Sequence, residues 1–126
     1  MQMRTMLGRV RGLGSAKEGV QHWWMQRVTA VFLVPLLLWL VFNIVRLAGA
    51  DHAAVAAWLA SPINGGLLVL LLVAGFYHMK LGLQVVIEDY LHNEGAKLAA
   101  LIAVKGVTAL LGIISVMSVL KLVFGR

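Results

Sequence analysis

The chain has 126 residues, 61% of them hydrophobic and only 13% charged, with a mean hydropathy of +0.91. A soluble domain of this size cannot enclose so much apolar surface, so lipid must solvate much of it, and about three spans of roughly 20 residues fit. The net charge of +6 does not make it a nucleic-acid binder, because the basic residues lack interleaved aromatics and a folded reader; the absence of cysteine excludes disulfides, thiolate metal sites, iron–sulfur ligation and cysteine nucleophiles.

Residues 1–20 (MQMRTMLGRVRGLGSAKEGV) are basic and glycine-rich without a sustained apolar face. They read as an arm on the cytoplasmic or matrix side, ordered against a partner. No secretory signal is expected, because the basic part is long and the first apolar run is a full span without a cleavage-type ending. Span one covers about residues 25–47, with Trp23 and Trp24 at its entrance, where amphipathic rings favour the interface. Asn43 and Arg46 mark its exit, and Pro35 inside it is expected to kink the helix or weaken one turn.

Residues 48–62 form the first connection, in which Ala53 to Leu59 reads as a short interfacial helix with Asp51 as N-cap and Trp58 at the headgroups. Pro62 opens span two, about residues 63–87. Residues 88–97 (EDYLHNEGAK) hold most of the acidic residues and form the second connection; span three covers about 98–123. The expectation is one all-α membrane domain, residues 1–126, with three transmembrane helices. Three helices make a thin bundle, so a partner subunit is expected to complete any enclosed site. Arg4, Arg9, Arg11, Lys17, Arg27 and Lys97 lie on the arm and second connection, against Arg46, Lys121 and Arg126 on the other side. This asymmetry assigns the arm to the cytoplasm.

His78 carries the most information. It lies inside the apolar run of span two, where an ionisable side chain is costly and usually marks a cofactor, ion or proton site. At 3.6 residues per turn, Leu71, Gly75, His78, Gly82, Val85 and Asp89 share a stripe. Glycines one turn either side of a histidine leave room for a flat ligand, as porphyrin ligation needs. The stripe taken alone is better matched by a histidine hydrogen-bonded between helices, with glycines for close packing.

Arg27, read as lying at the start of span one, offers a fork of donors to a carboxylate such as a haem propionate, or snorkels to headgroups. Tyr90 and Asp89 end span two: a tyrosine hydroxyl can hydrogen-bond a quinone carbonyl and a neighbouring carboxylate can pass protons, although both also suit an ordinary interface. His22 and His92 read as exposed polar residues, and His52 is assigned nothing. Lys105, Thr108, Gly112 and Ser115 share a face of span three that reads as a packing face.

Two segments together resemble a known family. HMKLGLQVVIEDYLH, with His78, Gly82, Val85, Asp89 and Tyr90, and HWWMQRVTA, with Arg27-Val28-Thr29-Ala30, resemble the smaller, D-type hydrophobic membrane anchors of succinate dehydrogenase, respiratory complex II. The resemblance implies that three helices form half of a two-subunit anchor bundle holding haem b. It implies His78 as an axial ligand to the haem iron, shared with a histidine of the second, cytochrome b anchor subunit. Gly82 would pack the haem, and Arg27 would lie near its propionates and the quinone pocket. Tyr90 would hydrogen-bond ubiquinone, with Asp89 as acidic neighbour. The implied partners are the second anchor, an iron–sulfur subunit and a flavoprotein that oxidises succinate, so this chain would hold no succinate site. The expected location is a bacterial cytoplasmic membrane rather than a mitochondrial inner one. A haem-free fumarate-reductase-type anchor and a small proton-coupled transporter subunit, with His78 and Lys105 as relay, are the alternatives.

Overall fold

The computed structural model describes residues 5–12 and 18–125. Arg4, Lys17 and Arg126, which entered the charge comparison, lie outside the described residues, as does the side chain of Arg9. Among the described residues there are five helices and no strand: α1 (Met6–Val10), α2 (Glu18–Leu47), α3 (His52–Ala60), α4 (Pro62–Tyr90) and α5 (Glu94–Phe124). The molecule is all-α, and α2, α4 and α5 are long and apolar enough to cross a membrane.

The helices outrun the apolar runs that announce them. α2 starts at Glu18, well before Met25, because backbone hydrogen bonding continues through Gln21 and His22 even though these side chains are polar. It also passes through Pro35 without ending. The second connection shrinks from the ten residues 88–97 to residues 91–93. Glu88, Asp89 and Tyr90 complete the last turn of α4, where Glu88 accepts from Gln84 Nε2 at 3.1 Å. Asn93 caps α5 by accepting from the Ala96 amide at 3.1 Å, and Glu94 places negative charge at the positive end of the helix. A connection this short makes α4 and α5 antiparallel neighbours.

The other end of the bundle is tied by polar groups. Asp51 caps α3 through the Ala54 amide at 2.9 Å. Trp58 Nε1 donates to Asn43 Oδ1 at 3.0 Å, Asn43 Nδ2 donates to the Trp39 carbonyl at 2.8 Å, and the Trp39 and Trp58 rings stack 5.6 Å apart. Asn43 is therefore a buried bridge from α2 to α3 and not merely a marker of the span's exit. Asn64 of α4 donates to the Trp58 carbonyl at 3.0 Å, which fixes the turn into α4. Gly49, at φ +82°, supplies the left-handed residue that the turn after α2 requires.

α4 is the central element: it packs on α2 and on α5, and α3 packs on α4 and α5. At the start of α4 a Cβ on Gly65 would stand 2.7 Å from Val123 Cγ2 and 3.1 Å from the Leu59 carbonyl oxygen, so α3, α4 and α5 meet there only because the residue is glycine. Leu36, Leu71, Ala74, Leu81, Leu59 and Val119 form a small apolar core. Only 17%, 17% and 11% of the apolar stretches of the three long helices are buried within the chain, so most of their surface is left for lipid or other polypeptides.

Candidate functional site

One face of α2 and one face of α4 fit together in register. His22, Gln26, Thr29 and Leu33 recur at helical spacing along α2, and Gly75, His78 and Gly82 do so along α4. The two helices run antiparallel, so the pairs follow in order. A Cβ on Gly75 would lie 3.9 Å from Leu33 Cδ2, Thr29 Oγ1 lies 2.9 Å from His78 Nδ1, and a Cβ on Gly82 would lie 3.9 Å from Gln26 Nε2. At both glycines an added Cβ would therefore meet α2 at ordinary contact distance, so both face α2 within this chain.

The Thr29–His78 contact has a direction. A threonine hydroxyl has one proton to give and lone pairs to receive. Thr29 Oγ1 is 2.7 Å from the Met25 carbonyl and 3.1 Å from that of Gln26, so its proton is committed to its own helix. It then accepts from His78 Nδ1–H. This assigns His78 the tautomer with a lone pair on Nε2, which no described residue hydrogen-bonds. Donation from one ring nitrogen with the other left free is the arrangement that metal-bound imidazoles adopt. Thr29 itself is 6% exposed and His78 half-buried. Sequence reading placed Thr29 in a motif but gave it no function; the signal was a hydroxyl two residues beyond Arg27 in an apolar helix.

His22 differs from its expected exposed state. Because α2 begins at Glu18, His22 is a full turn inside the helix, and its Nε2 is enclosed, as is Gln26 Oε1; neither atom has a hydrogen-bond partner. His92 is exposed, as read, and His52 is exposed as well.

The remaining site residues are not gathered around His78. Arg27 lies at about the depth of His78, deeper than the start of the helix, but two residues from Thr29 turn it through ~200° to the other face of α2. There it is exposed, with its guanidinium 5.1 Å from the centre of the Trp23 ring. Asp89 and Tyr90 are exposed in the last turn of α4, Tyr90 to 77%. Tyr90 is ~18 Å along the helix from His78. Neither side chain is hydrogen-bonded to a described residue, so both are available at one end of the bundle. His78 and Lys105 fall on opposite sides of α4, one against α2 and the other against the α5 side, so the chain does not assemble a relay from them. Among the described residues no group of three or more histidine, aspartate or glutamate side chains could hold a metal ion.

The family described as succinate dehydrogenase/fumarate reductase transmembrane subunit matches residues 1–113. The succinate dehydrogenase hydrophobic membrane anchor subunit of Rickettsia bellii (strain RML369-C) is 35% identical over 123 residues, covering 98% of this chain and 95% of its own. That of Paracoccus denitrificans is 31% identical over 93 residues, 74% of this chain and 72% of its own. The succinate dehydrogenase membrane anchor subunit of Reclinomonas americana is 28% identical over 92 residues, 71% and 77%. No solved structure matches the chain.

Proposed function

The chain belongs to the succinate dehydrogenase/fumarate reductase transmembrane-subunit family, and from that premise we propose that it is the anchor subunit that co-ligates haem b and helps form the ubiquinone-reduction site of complex II. In this reading it anchors the flavoprotein and iron–sulfur subunits to the membrane together with a second anchor subunit. It is a subunit of an enzyme but has no part in binding succinate.

The observation that carries the haem reading is the oriented Thr29–His78 hydrogen bond at 2.9 Å. Thr29 would hold the imidazole and leave the Nε2 lone pair free, so His78 would supply one protein ligand to haem iron and the partner anchor another. Haem b, when bound, would supply a one-electron centre. Gly82, beside His78 on the seam, keeps bulk away from the imidazole. Arg27, at the depth of His78 and without an anionic partner among the described residues, offers its fork to a propionate or to the quinone pocket.

At the end of α4, the Tyr90 hydroxyl donates to a ubiquinone carbonyl oxygen, which favours electron density there. The Asp89 carboxylate beside it accepts and returns protons from the aqueous side. Their exposure in this chain supports a pocket whose other walls are supplied by partners. Relatives in Rickettsia and Paracoccus support a bacterial inner membrane, and the positive charges near the start of α2 support a cytoplasmic N-terminus.

The test is a dithionite-reduced minus oxidised optical spectrum of the complex purified through this chain, beside a His78→Leu variant. A b-type signal lost or shifted in the variant is expected. A native signal unchanged by the variant would overturn the assignment of His78. A native complex without the signal would favour the second reading, a haem-free anchor of the fumarate-reductase type. That reading draws support from the seam itself, where Gly75 and Gly82 lie against Leu33 and Gln26 of α2.

A further inference from the structure

The outer side of α2 carries a cation that the seam does not use. Arg27 is exposed, and its guanidinium rests 5.1 Å from the centre of the Trp23 ring. Trp23 precedes it by four residues, so the ring stands about one turn, ~6 Å, nearer the start of α2. Trp24 meets Trp23 edge to face, with ring centres 5.0 Å apart and planes at 85°. Arg27 is thus held by a ring that is itself braced. In the other direction along α2 stand the exposed apolar side chains of Val31 and Val34, which offer a guanidinium no partner.

The contact also has a direction. At ~100° per residue, Trp23 lies ~90° round α2 from the middle of the face formed by His22, Gln26, Thr29 and Leu33, and Arg27 lies ~130° round. Tyr90 lies ~90° round α4 from the middle of the Gly75, His78 and Gly82 face, in the same sense along the chain. The two faces oppose each other on antiparallel helices, so equal rotations bring Trp23 and Tyr90 to the same flank of the pair. The register that sets Thr29 against His78 and Gln26 against Gly82 places Trp23 level with about Val85. Tyr90 is ~7 Å further along α4 from that level, and exposed Val86 lies on the same flank between them. By resting on Trp23, the Arg27 guanidinium is turned toward this flank and raised toward Tyr90.

We propose that Trp23 is a positioning residue: its ring holds the Arg27 guanidinium on the flank that Tyr90 shares, where the arginine offers N–H donors to the same ubiquinone that Tyr90 binds. The inference rests on the quinone reading of Tyr90 and not on the haem reading of His78. An arginine on a lipid-facing helix surface otherwise extends its flexible stem to the headgroups. An aromatic face attracts the guanidinium without taking up a hydrogen bond, so the ring restrains the side chain and its fork of donors stays available.

The test is steady-state reduction of a soluble short-chain ubiquinone by the complex purified through this chain. R27Q is expected to raise the KM for the quinone. W23L should raise it about 2–5-fold, the weight of an exposed cation–π contact, with kcat within about twofold of wild type. W23Y, which keeps a ring, should restore the wild-type KM. In an R27Q background W23L should add nothing, because Trp23 acts through Arg27. If W23L fails to assemble, W23F carries the same test with a smaller rise. An unchanged KM in the Trp23 variants beside a raised one in R27Q would overturn the proposal and leave the quinone reading standing. A Trp23 effect that persists undiminished in R27Q would overturn it too, since the ring would then act without the arginine. Y90F is the separate control: a KM and kcat unmoved by Y90F and R27Q alike would remove the quinone reading and the proposal together.

Discussion

α4 presents two unlike faces. Toward α2 it offers Gly75, His78 and Gly82 against Leu33, Thr29 and Gln26, and the space between the helices is filled by matched groups. Toward α5 it meets its neighbour closely at Gly65 and Phe76, yet long side chains at Lys80 and Lys105 leave a groove along the shared surface. Lipid is as apolar as leucine, so helices in a bilayer gain little by hiding apolar surface from it; they associate through close packing and interhelical hydrogen bonds. The difference between the two faces teaches where each mechanism acts. The α2 face is specified by a directed polar bond, and the α5 face by the fit of a glycine under a β-branched side chain.

Substitutions can break that comparison. The largest effect is expected at Gly65→Val, where new atoms would meet Val123 and the Leu59 carbonyl and separate α3, α4 and α5. A cost of about 3 kcal/mol should appear as a lower thermal midpoint and poor recovery of the solubilised complex. Thr29→Val keeps the shape of the α2 seam but removes the acceptor for His78 Nδ1–H. A half-buried donor left unpaired costs about 1 kcal/mol, and the imidazole loses its fixed tautomer. The thermal midpoint should fall and any b-type haem band should shift, while Thr29→Ser should restore both; an unmoved midpoint would deny the bond its structural weight.

Smaller effects sharpen the contrast. At Gly82 an added methyl would sit at ordinary van der Waals distance from Gln26, so Gly82→Ala should be tolerated and gain up to about 1 kcal/mol in helix propensity. A clear loss of stability there would mean that the seam is tighter than its contacts indicate. Lys80→Gln should change the thermal midpoint least, within about 0.5 kcal/mol, because the groove does not hold the helices together. A large fall would place Lys80 in the packing of α4 on α5.

Much of this was legible in the residues. Apolar length and the lack of cysteine announced three membrane helices and excluded whole classes of chemistry, because lipid forces every backbone polar group into a helix whatever the details of packing. Asp51 and Pro62 declared the start of α3 and of α4 by local chemistry alone. His78 stood out because an ionisable group is expensive in an apolar run. What the residues left open depended on which face of a helix meets which neighbour. The glycine stripe was compatible with ligand room or with helix approach, and the register of α2 on α4 showed that within this chain both glycines face α2. Asn43 as a buried bridge, the enclosed Nε2 of half-buried His22, Thr29 as the acceptor from His78, and Arg27 turned away from it all follow from packing between segments distant in sequence. Periodicity gives a helix its faces, but only the tertiary structure chooses the partner of each face, because that choice rests on distances between helices that no single segment encodes.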